Sequence, residues 1–110
     1  HIFGLSHITG GGLTNIARMS NQVDYELDFW PLEGELAQIF ELLKERSQNS
    51  WNEMFKTFNM GIGFVLATDN PIAVYDQLKE LGENPVELGK TIKGRGEISL
   101  NYGNINCEFN

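Results

Sequence analysis

The stretch Ser6-His7-Ile8-Thr9-Gly10-Gly11-Gly12-Leu13-Thr14 constrains this chain more than any other. Before it, Ile2, Phe3, Leu5 and Ile8 read as a strand. After it, Leu13, Ile16, Ala17 and Met19 read as a short helix beginning near Gly12. Between strand and helix, three consecutive residues carry no side chain. One glycine is enough for such a turn. Each further one costs roughly 0.5–1 kcal/mol against alanine in ordered structure. Bare backbone brings amide N–H groups close to a ligand, and a concave run of amides ahead of a helix suits phosphate. The hydroxyls of Thr9 and Thr14 add hydrogen bonds, and His7 stands ready to bond a phosphate or move a proton near neutral pH. The plain alternative is a tight turn, with His7 pinning the loop through a backbone carbonyl. No Lys-Ser/Thr follows the glycines, so this is not a P-loop.

The rest of the chain supplies strands and helices in alternation. Val23, Tyr25, Leu27 and Phe29 alternate with Asp24, Glu26 and Asp28, which predicts a half-buried strand with its acids in water, guarding an edge. Leu36, Ile39, Phe40 and Leu43 share one helical face. Ser50 and Glu53 form a capping box that opens a short helix carrying Met54, Phe55 and Phe58. Residues 59–68 are nearly all apolar and predict a central strand covered on both faces. Asn70 caps a helix with Pro71 in its first turn and Gly82 at its end. A strand is expected within 85–92, then a hairpin turning at Gly103-Asn104. The order β-α-β-α-α-β-α-β-β-β predicts an α/β (α+β) domain over residues 1–110, with helices packed on one face of a mixed sheet.

A second motif lies at the start of the apolar run, Thr57-Phe58-Asn59-Met60-Gly61-Ile62-Gly63. Asn59 stands at the strand's mouth, and Gly61 and Gly63 would let a ligand or a neighbouring helix approach. Trp30 and Trp51 read as core or interface anchors.

Composition excludes several functions. Eight basic against fifteen acidic residues give a net charge of −7, with no run of Lys or Arg, so nucleic acid is not an expected partner. The single cysteine, Cys107, rules out an internal disulfide and, with only two histidines, a zinc site. It fits a buried strand position in a protein of the reducing cytoplasm. No segment reaches the roughly 20 apolar residues of a membrane span.

Together, "SHITGGGLTNIAR" (6–18) and "EMFKTFNMGIGFVLA" (53–67) resemble the aminoimidazole ribonucleotide synthetases, the phosphoribosylformylglycinamidine cyclo-ligases of purine synthesis. Gly82-Glu83 and Leu88-Gly89 extend the likeness along most of the chain. Departures occur at Thr14-Asn15, where many members insert an acid, at Ala17, where they have proline, and across residues 28–35. The resemblance implies the C-terminal domain of a two-domain enzyme, N-terminally incomplete and inactive alone. It implies an ATP-dependent ring closure giving aminoimidazole ribonucleotide, ADP and phosphate. Carried onto this sequence, it implies that His7, Thr9, Gly10, Gly11 and Gly12 face phosphate, with Asn59 and Gly61 close by and His7 the catalytic candidate. ATP with magnesium, the metal held by the absent N-terminal domain, a phosphorylated ribonucleotide, that N-terminal domain itself and a homodimer of the full-length enzyme are the partners it implies. Other ATP-using enzymes of the same two-domain plan, or a non-catalytic anion-binding module, are the rival readings.

Overall fold

The computed structural model describes residues 2–110; His1 lies outside the described residues. Six strands and four helices appear in the expected order among them: β1 (Ile2–His7), a 3-10 helix (Gly12–Arg18), β2 (Val23–Leu27), α1 (Gly34–Ser47), α2 (Trp51–Thr57), β3 (Phe64–Thr68), α3 (Pro71–Glu80), β4 (Gly89–Lys93), β5 (Ile98–Tyr102) and β6 (Ile105–Phe109). The α+β class and the mixed sheet are as expected. The strands, however, divide between two sheets.

The larger sheet runs β4-β2-β5-β6, with β2 parallel to β5 and the other pairs antiparallel. Register places Tyr25 opposite Ile98, and Leu27 opposite Leu100, which in turn faces Cys107. These residues line the inner face, and all are buried. Period-two alternation leaves Glu26 and Glu108 on the outer face. The acids of β2 do not guard an edge, because β2 lies between β4 and β5. Asp24 instead accepts the amides of Arg95 and Glu97 at 2.9 and 3.0 Å, tying down the turn from β4 to β5.

Helix α2 fills the space between sheet and glycine loop. Its capping box is formed as read, with Ser50 and Glu53 exchanging bonds. Met54 and Phe55 point inward and are fully buried. Each such side chain contributes roughly 1.5–3 kcal/mol by leaving water. Asn52 reaches the backbone of Glu108 with both its oxygen and its nitrogen, covering part of the β6 edge as a strand partner would.

The smaller sheet pairs β1 antiparallel with β3, His7 opposite Phe64. Here the expectation for residues 59–68 fails. Residues 59–63 form a turn, and among the described residues β3 pairs with β1 alone. Phe64 is 58% exposed rather than covered on both faces. An apolar run records that a strand is apolar; it does not record whether a second layer lies over it. Helix α1 likewise forms where expected, but Ile39 and Leu43 on its apolar face remain largely exposed.

Candidate functional site

The strand β1 delivers the glycine loop to the seam between the two sheets. Gly4 has no side chain, and a Cβ there would press on Met19 at 3.0 Å, so β1 and the end of the 3-10 helix pack closely. Ser6, buried, donates to the Asn15 carbonyl at 2.7 Å. Ile8 donates its amide to Gly63 at 2.9 Å, and this bond sets the glycine loop beside the turn at residues 59–63.

The three glycines are bare for three different reasons. Gly12 is buried, with φ +54°, and a Cβ on it would collide with the carbonyl oxygens of Phe55 and Phe58. Gly11 has φ +98° and opens the 3-10 helix, a backbone conformation that other residues rarely adopt. Gly10 answers to neither demand. It is exposed, and a Cβ there would meet nothing within 4 Å among the described residues.

The loop is held from inside by hydrogen bonds. The Gly12 amide donates to Thr9 O at 2.9 Å, and the Thr14 hydroxyl donates to Gly11 O at 2.6 Å. Asn15 is 2% exposed, and its side-chain Nδ2 faces three carbonyl oxygens, those of Gly12 at 2.8 Å, Gly10 at 3.3 Å and Thr9 at 3.4 Å. The amides of Thr9, Gly10 and Gly11 donate to no group among the described residues. The helix after the loop is a seven-residue 3-10 helix, so its end supplies less aligned dipole than a long α-helix would.

The second segment is also fixed by a turn. Asn59 is exposed, and its Oδ1 accepts the Gly61 amide at 2.9 Å. Met60 takes φ +54° although it carries a side chain. It is wholly buried, and Trp30 donates to its carbonyl from Nε1 at 3.0 Å, inside the core. Trp30 also meets Phe55 edge to face at 5.0 Å. Gly61 has φ +93°, and a Cβ on it would run into the tip of Leu36. Its glycine is thus required by the turn and not by the face of a strand.

His7 closes β1 with an exposed side chain that stacks on Phe64, ring centres 6.0 Å apart. Its ring makes no hydrogen bond among the described residues. The structure therefore brings His7, Thr9, Gly10, Gly11 and Gly12 into one loop, and sets Asn59 and Gly61 in the neighbouring turn.

Sequence reasoning missed Asn15 and the Trp30–Met60 bond. A partial signal for Asn15 existed, since a short polar side chain inside an apolar pattern just past a glycine loop has a carbonyl within reach. Elsewhere, a depression of about 250 Å³ opens on the far sheet beside Asp24, Glu26, Glu97 and Glu108. Those carboxylates make it a poor place for an anion. Among the described residues, no three of His, Cys, Asp and Glu gather where they could hold a metal ion, and no helix is long and apolar enough to cross a membrane.

Residues 1–101 match the family described as AIR synthase related protein, C-terminal domain. This chain belongs to that family. The AIR synthase-related domain is also similar to curated proteins named phosphoribosylformylglycinamidine cyclo-ligase. It is 39% identical to that of Bacillus cytotoxicus over 108 residues, covering 93% of this chain and 30% of the relative. Identity to that of a Geobacillus species is 41% over 101 residues, covering 86% and 28%. One from Bacillus cereus is 41% identical over 108 residues, with the same coverage as the first. The AIR synthase-related domain thus spans about 30% of the length of the curated relatives it matches.

Proposed function

We propose that this domain is the C-terminal part of a phosphoribosylformylglycinamidine cyclo-ligase of purine biosynthesis, and that its glycine loop receives a phosphoryl group. The observation that carries the reading is Gly10, which no contact and no left-handed backbone requires, beside the three unclaimed amides of Thr9, Gly10 and Gly11. A bare, open residue next to unspent donors is what close approach of an anion requires.

In the proposed reaction, ATP phosphorylates the formyl oxygen of formylglycinamidine ribonucleotide. The amidine nitrogen attacks the activated carbon, the C–O bond breaks, and phosphate leaves with ADP already formed. Charge builds on phosphoryl oxygens, so preplaced donors lower the barrier. Thr9, Gly10 and Gly11 supply amides, and the Thr9 hydroxyl adds a donor. Gly12 sets the loop's depth against α2. His7, at the loop's rim, bonds a phosphoryl oxygen or relays a proton. Asn59 and Gly61 border the same site. ATP fits the loop through its phosphates. Magnesium does not, for want of a carboxylate group at the loop, and we assign its ligands to the remainder of the longer enzyme.

We assign the cover of the exposed apolar face around Phe3, Leu5 and Phe64 to that remainder as well. Its supporting observation is that the relatives carry more than twice as much chain again. On this reading the domain by itself is inactive, and the full enzyme is a cytoplasmic homodimer.

Calorimetric titration of the domain with phosphate, ATP and ribose 5-phosphate tests the assignment, using wild type, His7→Ala and Asn59→Ala. The expected result is binding of at least one ligand and weaker binding in both variants. Equal affinity in all three proteins would favour a non-catalytic anion-binding module.

A further inference from the structure

We propose that Asn15 is a positioning residue whose side-chain amide holds the carbonyls of Thr9, Gly10 and Gly12 inward, so that the loop offers its amides to a phosphoryl oxygen. The inference rests on the anion-binding reading above and names the group that shapes the site. In a trans peptide, the carbonyl and the following N–H point in opposite directions, and the described chain has no cis peptide. The Thr9 carbonyl shares its plane with the Gly10 amide, and the Gly10 carbonyl with the Gly11 amide. Both carbonyls lie within 3.4 Å of Asn15 Nδ2, and Asn15 is buried. The Gly10 and Gly11 amides therefore point away from the protein interior, and neither donates to a group of the chain among the described residues.

The residue type matters. An asparagine amide carries two donor hydrogens, whereas an ionised aspartate of the same size carries none. Freed to rotate, the same carbonyls would turn their oxygens toward the anion and repel it. Asn15 does not touch the ligand; it acts through the peptide planes of the loop.

Sulfate is the probe, because its charge stays constant between pH 5 and 7. Its affinity is measured by calorimetry for wild type, Asn15→Asp, Asn15→Ser and Ser6→Ala, alongside each protein's thermal midpoint. Ser6→Ala removes the bond to the Asn15 main chain and serves as the structural control. Asn15→Asp is expected to weaken sulfate about tenfold or more relative to wild type at pH 7. Burial among backbone carbonyls raises the new carboxyl's hold on a proton, so that ratio narrows as pH falls toward 5 and the protonated carboxyl regains a donor. Ser6→Ala lowers the midpoint but holds its sulfate affinity within about twofold. Where Asn15→Asp does not fold, Asn15→Ser carries the comparison at pH 7. A folded Asn15 variant that binds sulfate as tightly as wild type overturns the inference alone. So does a loss in Ser6→Ala equal to that in Asn15→Asp, since affinity would then merely follow stability. No sulfate binding by wild type removes the anion-site reading, and this inference with it.

Discussion

The two sheets of this domain differ in what covers them. The four-stranded sheet turns Tyr25, Leu27, Ile98, Leu100, Ile105 and Cys107 onto α2 and the 3-10 helix, and all are buried. The two-stranded sheet turns Phe3, Leu5 and Phe64 outward, 73%, 58% and 58% exposed. The first half is held by its own packing. A two-stranded sheet is marginal in water on its own, and here it is held from one side through Gly4, Ser6 and Ile8. The glycine loop lies where the two halves join. Its inner wall, Gly12, belongs to the packed half, and its rim, His7 and Phe64, belongs to the open one. A loop so placed has a rigid back and an uncovered front, which fits the proposed contact with the remainder of a longer enzyme.

The sharpest way to break this contrast is substitution on its two sides. Leu100→Ala or Phe55→Ala leaves a cavity in the closed core and is expected to lose about 3–5 kcal/mol in urea denaturation. Phe3→Ser, on the open face, is expected to stay within about 0.5 kcal/mol. Equal losses at the two places would mean that the open face is covered in solution.

The glycines give the same contrast within one loop. Gly12→Ala forces a Cβ onto the Phe55 and Phe58 carbonyls at a positive φ, and is expected to destabilise by roughly 2 kcal/mol or more. Gly10→Ala meets no atom, so stability stays within about 1 kcal/mol while phosphate affinity falls. A Gly10→Ala protein that keeps wild-type affinity would count against the loop as the site. A smaller effect is expected from Trp30→Phe, which removes the donor to the Met60 carbonyl and leaves it buried. It should lose about 1–3 kcal/mol and loosen the turn bearing Asn59 and Gly61.

Ionisation offers the gentlest test. Burial pushes the Cys107 thiol up to about 11. Its contribution to stability is complete below the ordinary thiol value and is lost as pH rises from there through about 11. At pH 8 Cys107 should therefore resist alkylation in the folded protein and react at once in urea. The amides of Arg95 and then Glu97 hold the Asp24 carboxyl below its ordinary value. That stabilisation is present above the ordinary carboxylate value and disappears as pH falls through the depressed one. Asp24→Asn should flatten the acid limb of the stability profile, measured from pH 6 down to 2.

What the sequence made legible follows the range of the interactions involved. The Ser50–Glu53 capping box, the Asn70 cap with Pro71, and the Gly103-Asn104 turn are settled within four residues of chain, and each stands where it was read. The turn at Asn59–Gly63 was not legible, because its left-handed Met60 depends on a bond from Trp30, thirty residues away. The exposure of β3 was hidden for a similar reason, since it depends on which strand pairs with it and what lies above. Asn15 was only half legible: a short polar side chain just past a glycine loop has a carbonyl within reach, but which three carbonyls fold back toward it is set by the loop's own path. The resemblance supplied the family; the reasons for each glycine came only from three dimensions.

The most direct test of the central claim is a phosphate titration of the ¹⁵N-labelled domain, followed residue by residue. Phosphate binding at the loop moves the amide signals of Thr9, Gly10 and Gly11 first and saturates them together, while those of Glu108 and α3 stay in place. Signals that do not move, or that move instead around Asp24 and Glu97, would contradict it.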